Sequence, residues 1–343
     1  MSNALPVADD ILLDVNDLVV HFPAGRRGLF GKPSNVHAVD GVSFRVRRGT
    51  TFGIVGESGS GKSTTAQAVM RLIPATSGQI VFDGENIAEY QGERLRQARR
   101  KFQIVFQDPF SSLDPRRRAG DLVREPLDLL NIGTAKEREA RVRQLLAEVG
   151  LPPQAADLFP HQFSGGQRQR LCIARAMAPE PELIVCDEAV SALDVAIQAQ
   201  ILNLLKRLQR ERGLTYIFIS HDLGVIQHFC DEVAVMYLGK IVEQAPASVF
   251  FSAPRHPYSW SLIAAAAPPG PLRSRLKAQF LVTGDPPSPV DPPPGCRFAQ
   301  RCPFVIERCR AELPMLDVSG PAHYVACHRV NEIASPIFTE ATA

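Results

Sequence analysis

An α/β fold, with a mostly parallel sheet, helices on its faces and a small C-terminal attachment, is what the 343-residue sequence predicts. Two observations carry the core: short apolar, partly β-branched runs alternate with helical segments, and glycine-rich turns open helices. A third carries the attachment: proline and cysteine concentrate near the C-terminus. Strands buried on both faces read as continuous apolar runs, and strands separated by helices pair in parallel. Residues 51–55, 102–106, 183–186, 216–219 and 233–237 have that character. Between them, residues 136–149 repeat apolar side chains at helical spacing (Val142, Leu145, Leu146, Val149) and stop at Gly150. Residues 195–212 do the same with Ile201, Leu204, Leu205 and Leu208, and stop at Gly213.

Composition removes several classes. Hydrophobic residues make up 45% and charged residues 22%, which excludes wholesale disorder. Lys plus Arg (38) against Asp plus Glu (36) leaves +2, a poor match to a dedicated nucleic-acid binder. No uncharged apolar run nears the ~18 residues of a spanning helix. The first ten residues carry two acids and no basic segment, so no secretory signal is expected and the chain is placed in the cytosol, free to dock on a membrane protein. Seven cysteines there argue for thiols or metal ligands, not disulfides. Nine of the 28 prolines fall in 268–294, an extended connector, because proline lacks an amide donor and fixes φ. Residues 1–255 are therefore read as the main domain and 256–343 as the attachment, with a cysteine module at 295–328. No fixed-period repeat suggests a second copy.

The chemistry starts at Gly56-Glu57-Ser58-Gly59-Ser60-Gly61-Lys62-Ser63-Thr64, preceded by a strand and followed by a helical stretch over 64–72. This is a phosphate loop in its required context. Glycines let backbone N–H groups converge on phosphate oxygens, Lys62 bridges the β- and γ-phosphates, and Ser63 offers Mg2+ its hydroxyl. A plain glycine turn would need neither the strand nor the helix. The apolar run 183–186 ends in Asp187 and Glu188, at the carboxyl edge of the sheet where ligands bind. Asp187 is assigned to Mg2+ through its water shell, and Glu188 to orienting or deprotonating the attacking water. Ser164-Gly165-Gly166-Gln167, after Phe163, opens a helix and exposes N–H groups and a hydroxyl to an anion.

With this run the sequence resembles the ATPase subunits of ABC transporters, over about residues 11–255. The resemblance implies a P-loop ABC ATPase core with a helical subdomain inserted at about 108–178. It also implies that Phe22 stacks on adenine and that Gln107 senses Mg2+ and reaches the water. Ser191 to Asp194 would form the D-loop, and His221 would contact the γ-phosphate. Two such subunits, paralogous or identical, would meet head to tail, each signature (Ser164 to Gln167) capping the other's ATP. The family further implies two membrane permeases, an extracytoplasmic substrate-binding protein, no nucleic acid, and a peripheral place on the cytoplasmic face of the inner membrane.

Arg94 to Arg118 holds eight basic residues, which suit a solvated face. The resemblance adds that Phe110 to Pro115 could receive a permease coupling helix beside anionic headgroups. Arg255-His256-Pro257-Tyr258, then Cys296, Cys302, Cys309 and Cys327, resemble the extension of peptide and nickel importer ATPases. The unequal C-x5-C-x6-C-x17-C spacing does not match zinc ribbons. Four thiolates could hold a 4Fe-4S cluster, as the resemblance implies; zinc, with His323 or His328 as a substitute ligand, and plain reduced thiols stay open. Cys172, Cys186 and Cys230 are expected to be buried apolar groups. The function expected is ATP hydrolysis powering oligopeptide or dipeptide import. Nickel, opine or glutathione cargo stays open, as does a soluble ABC ATPase of DNA repair or translation. The repair type needs a long inserted coiled coil, and the translation type needs two cassettes.

Overall fold

The computed structural model describes residues 10–26, 33–266 and 284–333, so the expected connector is outside the described residues up to 283. The strands, in chain order, are β1 (Ile11–Arg26), β2 (Pro33–Arg47), β3 (Thr51–Val55), β4 (Ser77–Phe82), β5 (Glu85–Asn86) and β6 (Phe102–Val105). They continue with β7 (Leu183–Asp187), β8 (Thr215–Ile219), β9 (Glu232–Tyr237), β10 (Lys240–Pro246), β11 (Asp317–Gly320) and β12 (His323–Val325). The helices are α1 (Lys62–Val69), α2 (Gly92–Ala98), α3 (Pro109–Ser112), α4 (Ala119–Leu129), α5 (Ala135–Glu148) and α6 (Gly165–Met177). Then come α7 (Val195–Arg212), α8 (Leu223–Phe229), α9 (Ala247–Ser252), α10 (Pro257–Ala266) and α11 (Glu307–Ala311). Two compact units result. The first is built on Phe82–Ile219 with Val46–Thr50; the second takes Leu13–Arg45, Thr51–Val81 and the described part of Ser220–Ala343.

In the first unit β6, β7 and β8 run parallel, with Val105 opposite Cys186 and Asp187 opposite Ile219. Every residue of β7 and β8 is buried, which is why their sequences are unbroken apolar runs. Helix α5 opens with a capping box: Thr134 Oγ1 accepts from the Glu137 N–H, and Glu137 Oε2 accepts from the Thr134 N–H. Its apolar stripe buries Val142, Leu145 and Leu146 against α4 and α6. Enclosing a leucine fully stabilises by about 1.5–3 kcal/mol. Helices α5 and α7 end next to Gly150 and at Gly213, as expected. Cys172, Cys186 and Cys230 are buried.

The second unit holds the strand order β11-β12-β10-β9-β3, and a separate sheet with the order β2-β1-β4. The strands picked out from sequence pair in parallel, as expected, and this unit adds antiparallel strands to them. In this unit β3 and β9 pair in parallel, while β9–β10, β10–β12 and β11–β12 are antiparallel. The reason is the connection: Tyr237 and Lys240 face each other across the two-residue turn Leu238-Gly239, and a turn that short can only reverse the chain. A register shift between Ile241 and Glu243 accompanies complete burial of the Glu243 carboxylate. That carboxylate accepts from the Arg255 N–H (2.7 Å), the His256 N–H (2.8 Å) and His323 Nε2 (2.7 Å). It thereby ties β12 to β10, since an unpaired buried carboxylate would be far costlier. One ring nitrogen of His323, Nε2, is thus committed to Glu243. Tyr237, Tyr258 and Phe298 form an edge-to-face cluster beside it.

Candidate functional site

The phosphate loop belongs to the second unit. Gly61 caps α1 in the left-handed region (φ 105°), and a Cβ there would lie 2.2 Å from the Ala38 carbonyl oxygen, so only glycine fits. The Lys62 side chain is buried, and its ammonium donates to the carbonyls of Gly56 (2.9 Å) and Glu57 (2.8 Å). The charge is held inside the curl of the loop, where phosphate oxygens can replace the carbonyls. Among the described residues the buried Ser60 hydroxyl has no hydrogen-bond partner, the mark of a cradle built for a polar guest. Ser58, Gly59, Ser63 and Thr64 complete the turn and the first turn of α1. Phe22 on β1 is 40% exposed. His221 is exposed immediately before α8.

The first unit carries the carboxylates. Asp187 ends β7 and is buried. Glu188 follows with φ 49°, an uncommon backbone for a non-glycine residue, fixed by its N–H donating to the Ile219 carbonyl (3.0 Å). Gln107, just beyond β6, donates from Nε2 to Glu188 Oε2 at 2.8 Å. The structure therefore brings together two expected catalytic side chains that are 81 residues apart in sequence.

Ser164 caps α6 and forms a capping box with Gln167: the Ser164 N–H donates to Gln167 Oε1 (2.9 Å), and the Gln167 N–H donates to Ser164 Oγ (3.4 Å). The amides of Gly165 and Gly166 lie in the first turn of α6, at a helix N-terminus, where an anion is stabilised. A Cβ on Gly166 would meet Ile197 Cγ2 at 2.5 Å, so this glycine also lets α7 approach. Asp194 caps α7, accepting from the Ile197 N–H (2.9 Å).

The basic run is largely neutralised in place. Arg96 pairs with Glu93, Lys101 with Asp83 and Glu182, Arg117 with Glu125, and Arg118 with Asp157. Beside it lies an open cleft of about 400 Å³ lined by Phe106, Pro126, Leu129 and Leu130 among arginines. Phe110 (62% exposed) and Leu129 (64%) leave apolar surface uncovered.

Cys296, Cys302, Cys309 and Cys327 line one apolar cavity with Phe298, Phe304 and His328. The Cys296 amide donates to the Cys309 carbonyl at 2.8 Å. Burial pushes the Cys296 thiol up to about 11 and the Cys302 thiol up to about 12. Among the described residues, the one acid, histidine or cysteine group with ligand atoms mutually within 4.8 Å is His21, His37 and Asp40. No three of these four sulfurs lie mutually within 4.8 Å. Asp40 carries Arg297 (2.5 Å) and Lys240 (3.7 Å) as well as the two histidines, so positive charge already surrounds it.

Sequence reasoning missed Tyr258 and Arg301 as neighbours of the loop. The Glu57 N–H donates to Tyr258 Oη (2.8 Å), and Arg301 is bidentate on the Glu57 carboxylate (2.8 and 3.1 Å). Neither has a periodic signal; Arg301's only clue is its place beside Cys302.

Comparison with known proteins agrees with this geometry. Residues 39–191 match the ABC transporter family, and residues 242–309 match the oligopeptide/dipeptide transporter C-terminal region. The probable peptide ABC transporter ATP-binding protein y4tS of Sinorhizobium fredii is 50% identical over 93% of this chain and 90% of its own. The oligopeptide transport ATP-binding protein AppF of Bacillus subtilis is 47% identical over 93% and 97%. Among solved structures, the dimeric post-hydrolysis cassette MJ0796 bound to ADP and phosphate matches with TM-score 0.61 and 29% identity, over 68% of this chain and 98% of that one. CbiO1 from Clostridium perfringens matches equally well in TM-score (0.61) and identity (29%), over 71% and 91%. No helix among the described residues is long and apolar enough to cross a membrane. The chain belongs to the ATP-binding, ATP-hydrolysing subunits of the oligopeptide/dipeptide family of ABC transporters.

Proposed function

We propose that this ATPase powers the import of oligopeptides or dipeptides, and that Glu188, oriented by Gln107, is its general base. The observation that carries the catalytic part is the 2.8 Å hydrogen bond from Gln107 to Glu188 directly after the buried Asp187. The C-terminal match to oligopeptide/dipeptide transporters supports the cargo class. In this reading Phe22 stacks on adenine, and the loop amides from Gly56 to Thr64 and the Lys62 ammonium take the β- and γ-phosphates. Ser63, Gln107 and Asp187 are the residues that would hold Mg2+, which when bound neutralises phosphate charge. Glu188 accepts a proton from water as its oxygen attacks the γ-phosphorus. The bond to the β,γ-bridging oxygen breaks, and ADP leaves with the electron pair. His221 steadies the transferring group. Ser164 to Gln167 and Asp194 serve the nucleotide of a second ATPase subunit, as the dimeric state of the MJ0796 cassette suggests.

Two permeases would dock through the apolar cleft around Phe106 and Leu129, on the cytoplasmic face of the membrane, fed by a substrate-binding protein. The four cysteines are the residues that would hold a 4Fe-4S cluster, whose binding would require the raised thiols to give up their protons. Iron and acid-labile sulfide at four per chain in anaerobically purified protein is the expected result; zinc alone, or no metal, rejects the cluster.

The decisive experiment for the motor is Glu188→Gln. Hydrolysis should fall by about 10²–10⁴-fold while magnesium-ATP still binds, and a variant turning over at the parent rate removes the base assignment. Uptake of labelled oligopeptide by the assembled transporter, lost in the same variant, tests the cargo.

A further inference from the structure

The cysteine segment reaches the phosphate loop through the Arg301 side chain. Arg301, one residue before Cys302, is 9% exposed and lies 244 residues from Glu57 in sequence, yet its guanidinium grips both Glu57 carboxylate oxygens. Its Nη1 also reaches Tyr237 Oη (3.3 Å). Every polar group of Glu57 is occupied: the carboxylate by Arg301, the N–H by Tyr258 and the carbonyl by Lys62. Two of these three partners come from residues C-terminal to 255.

The charge arrangement matters as much as the tether. Glu57 is the second residue of the loop, and its carbonyl accepts from the Lys62 ammonium, so its carboxylate belongs to the same short loop that takes a tetra-anion in the proposed reading. Like charges at close range in a partly desolvated cleft repel by several times RT, whereas a bidentate guanidinium cancels the charge and fixes its position. The fork cannot be replaced by lysine without losing one of the two bonds. An anchored loop also has less freedom to lose when nucleotide arrives, which favours affinity.

We propose that Arg301 is a positioning residue for nucleotide: it neutralises and anchors Glu57, and so makes ATP affinity depend on the packing of the cysteine segment. The proposal rests on the loop being the nucleotide site. The test is titration of the full-length chain with magnesium-ATP by calorimetry, with steady-state hydrolysis alongside. Arg301→Met should raise Kd about tenfold and leave kcat at saturation within twofold. Arg301→Lys, keeping charge without the fork, should raise Kd two- to fourfold. The discriminating variant is Glu57→Gln/Arg301→Met, which removes the repelling charge and should return Kd to within threefold of the parent. A purely structural Arg301 would give no such rescue. An unchanged Kd in Arg301→Met, or a double variant as weak as Arg301→Met, overturns the proposal. If Arg301→Met does not fold, Glu57→Gln alone, at a partly exposed loop position, should bind at least as tightly as the parent, and a tenfold loss overturns it. A parent chain that fails to bind magnesium-ATP would instead sink the nucleotide reading itself.

Discussion

Two helix N-termini offer glycine amides to anions in this protein, and they are held in opposite ways. Helix α6 is capped by its own sequence: Ser164 and Gln167 satisfy each other's amides three residues apart. Helix α1 has no side-chain cap; Gly61 stands at its N-terminus, and the loop before it is held by Ala38, Tyr258, Gly239 and Arg301. The signature can therefore order itself, while the phosphate loop exists only in the folded second unit. A loop that must approach a polyphosphate from several sides has no side chain to spare for capping, so its order comes from distant residues.

The strongest way to break this contrast is Gly61→Ala. The added methyl meets the Ala38 carbonyl at 2.2 Å with φ at 105°, and strain plus displacement of the loop should cost at least about 3 kcal/mol. Magnesium-ATP binding should drop by 100-fold or more, and near-normal binding would show that the loop tolerates slack. Next is Asp40→Asn, which cuts another long-range tie, from β2 to Arg297. Burial pushes the Asp40 carboxyl up, but hydrogen bonds from His21 and His37 and the charges of Lys240 and Arg297 outweigh it and hold it at about 2. With a folded value below the unfolded 3.8, the stabilisation is full above that value and is lost as pH falls toward 2. The shift corresponds to about 2.4 kcal/mol, reduced by solvent screening to about 1–2. Urea unfolding should show that deficit in the variant at pH 7 and a shrinking one below pH 4; a gap that widens in acid contradicts the assignment. The smallest effect is Ser164→Ala, about 1 kcal/mol from loss of the cap. Ser164→Asp should keep the helix, seen by amide exchange in α6, yet depress hydrolysis in the assembled pair by placing a charge against the partner's nucleotide. Equal stability and activity in both variants would remove the distinction between capping and anion contact.

Much of the site was legible in sequence because its chemistry is contiguous. The loop from Gly56 to Thr64, the strand ending at Asp187-Glu188 and the Ser164 to Gln167 turn each place their groups within a few residues of backbone. The buried strands β3, β7, β8 and β9 were legible for a related reason: burial on both faces leaves an unbroken apolar run. The long strands β1 and β2 escaped notice because their side chains alternate irregularly between buried and exposed. Strand β12 escaped because three residues cannot show a period. The antiparallel strand β10 was not foreseen because a hairpin, not a helix, connects it to β9.

What the sequence determined by itself was the nucleotide chemistry, the ends of α5 and α7 and the family, since these depend on residue types at short, fixed offsets. Tertiary structure alone decided that Gln107 rests on Glu188, that Glu243 commits His323, and that Arg301 and Tyr258 grip Glu57. Those bonds join residues 80 to 244 positions apart, and bringing such segments together is the work of sheet pairing and apolar burial, which no local spacing records.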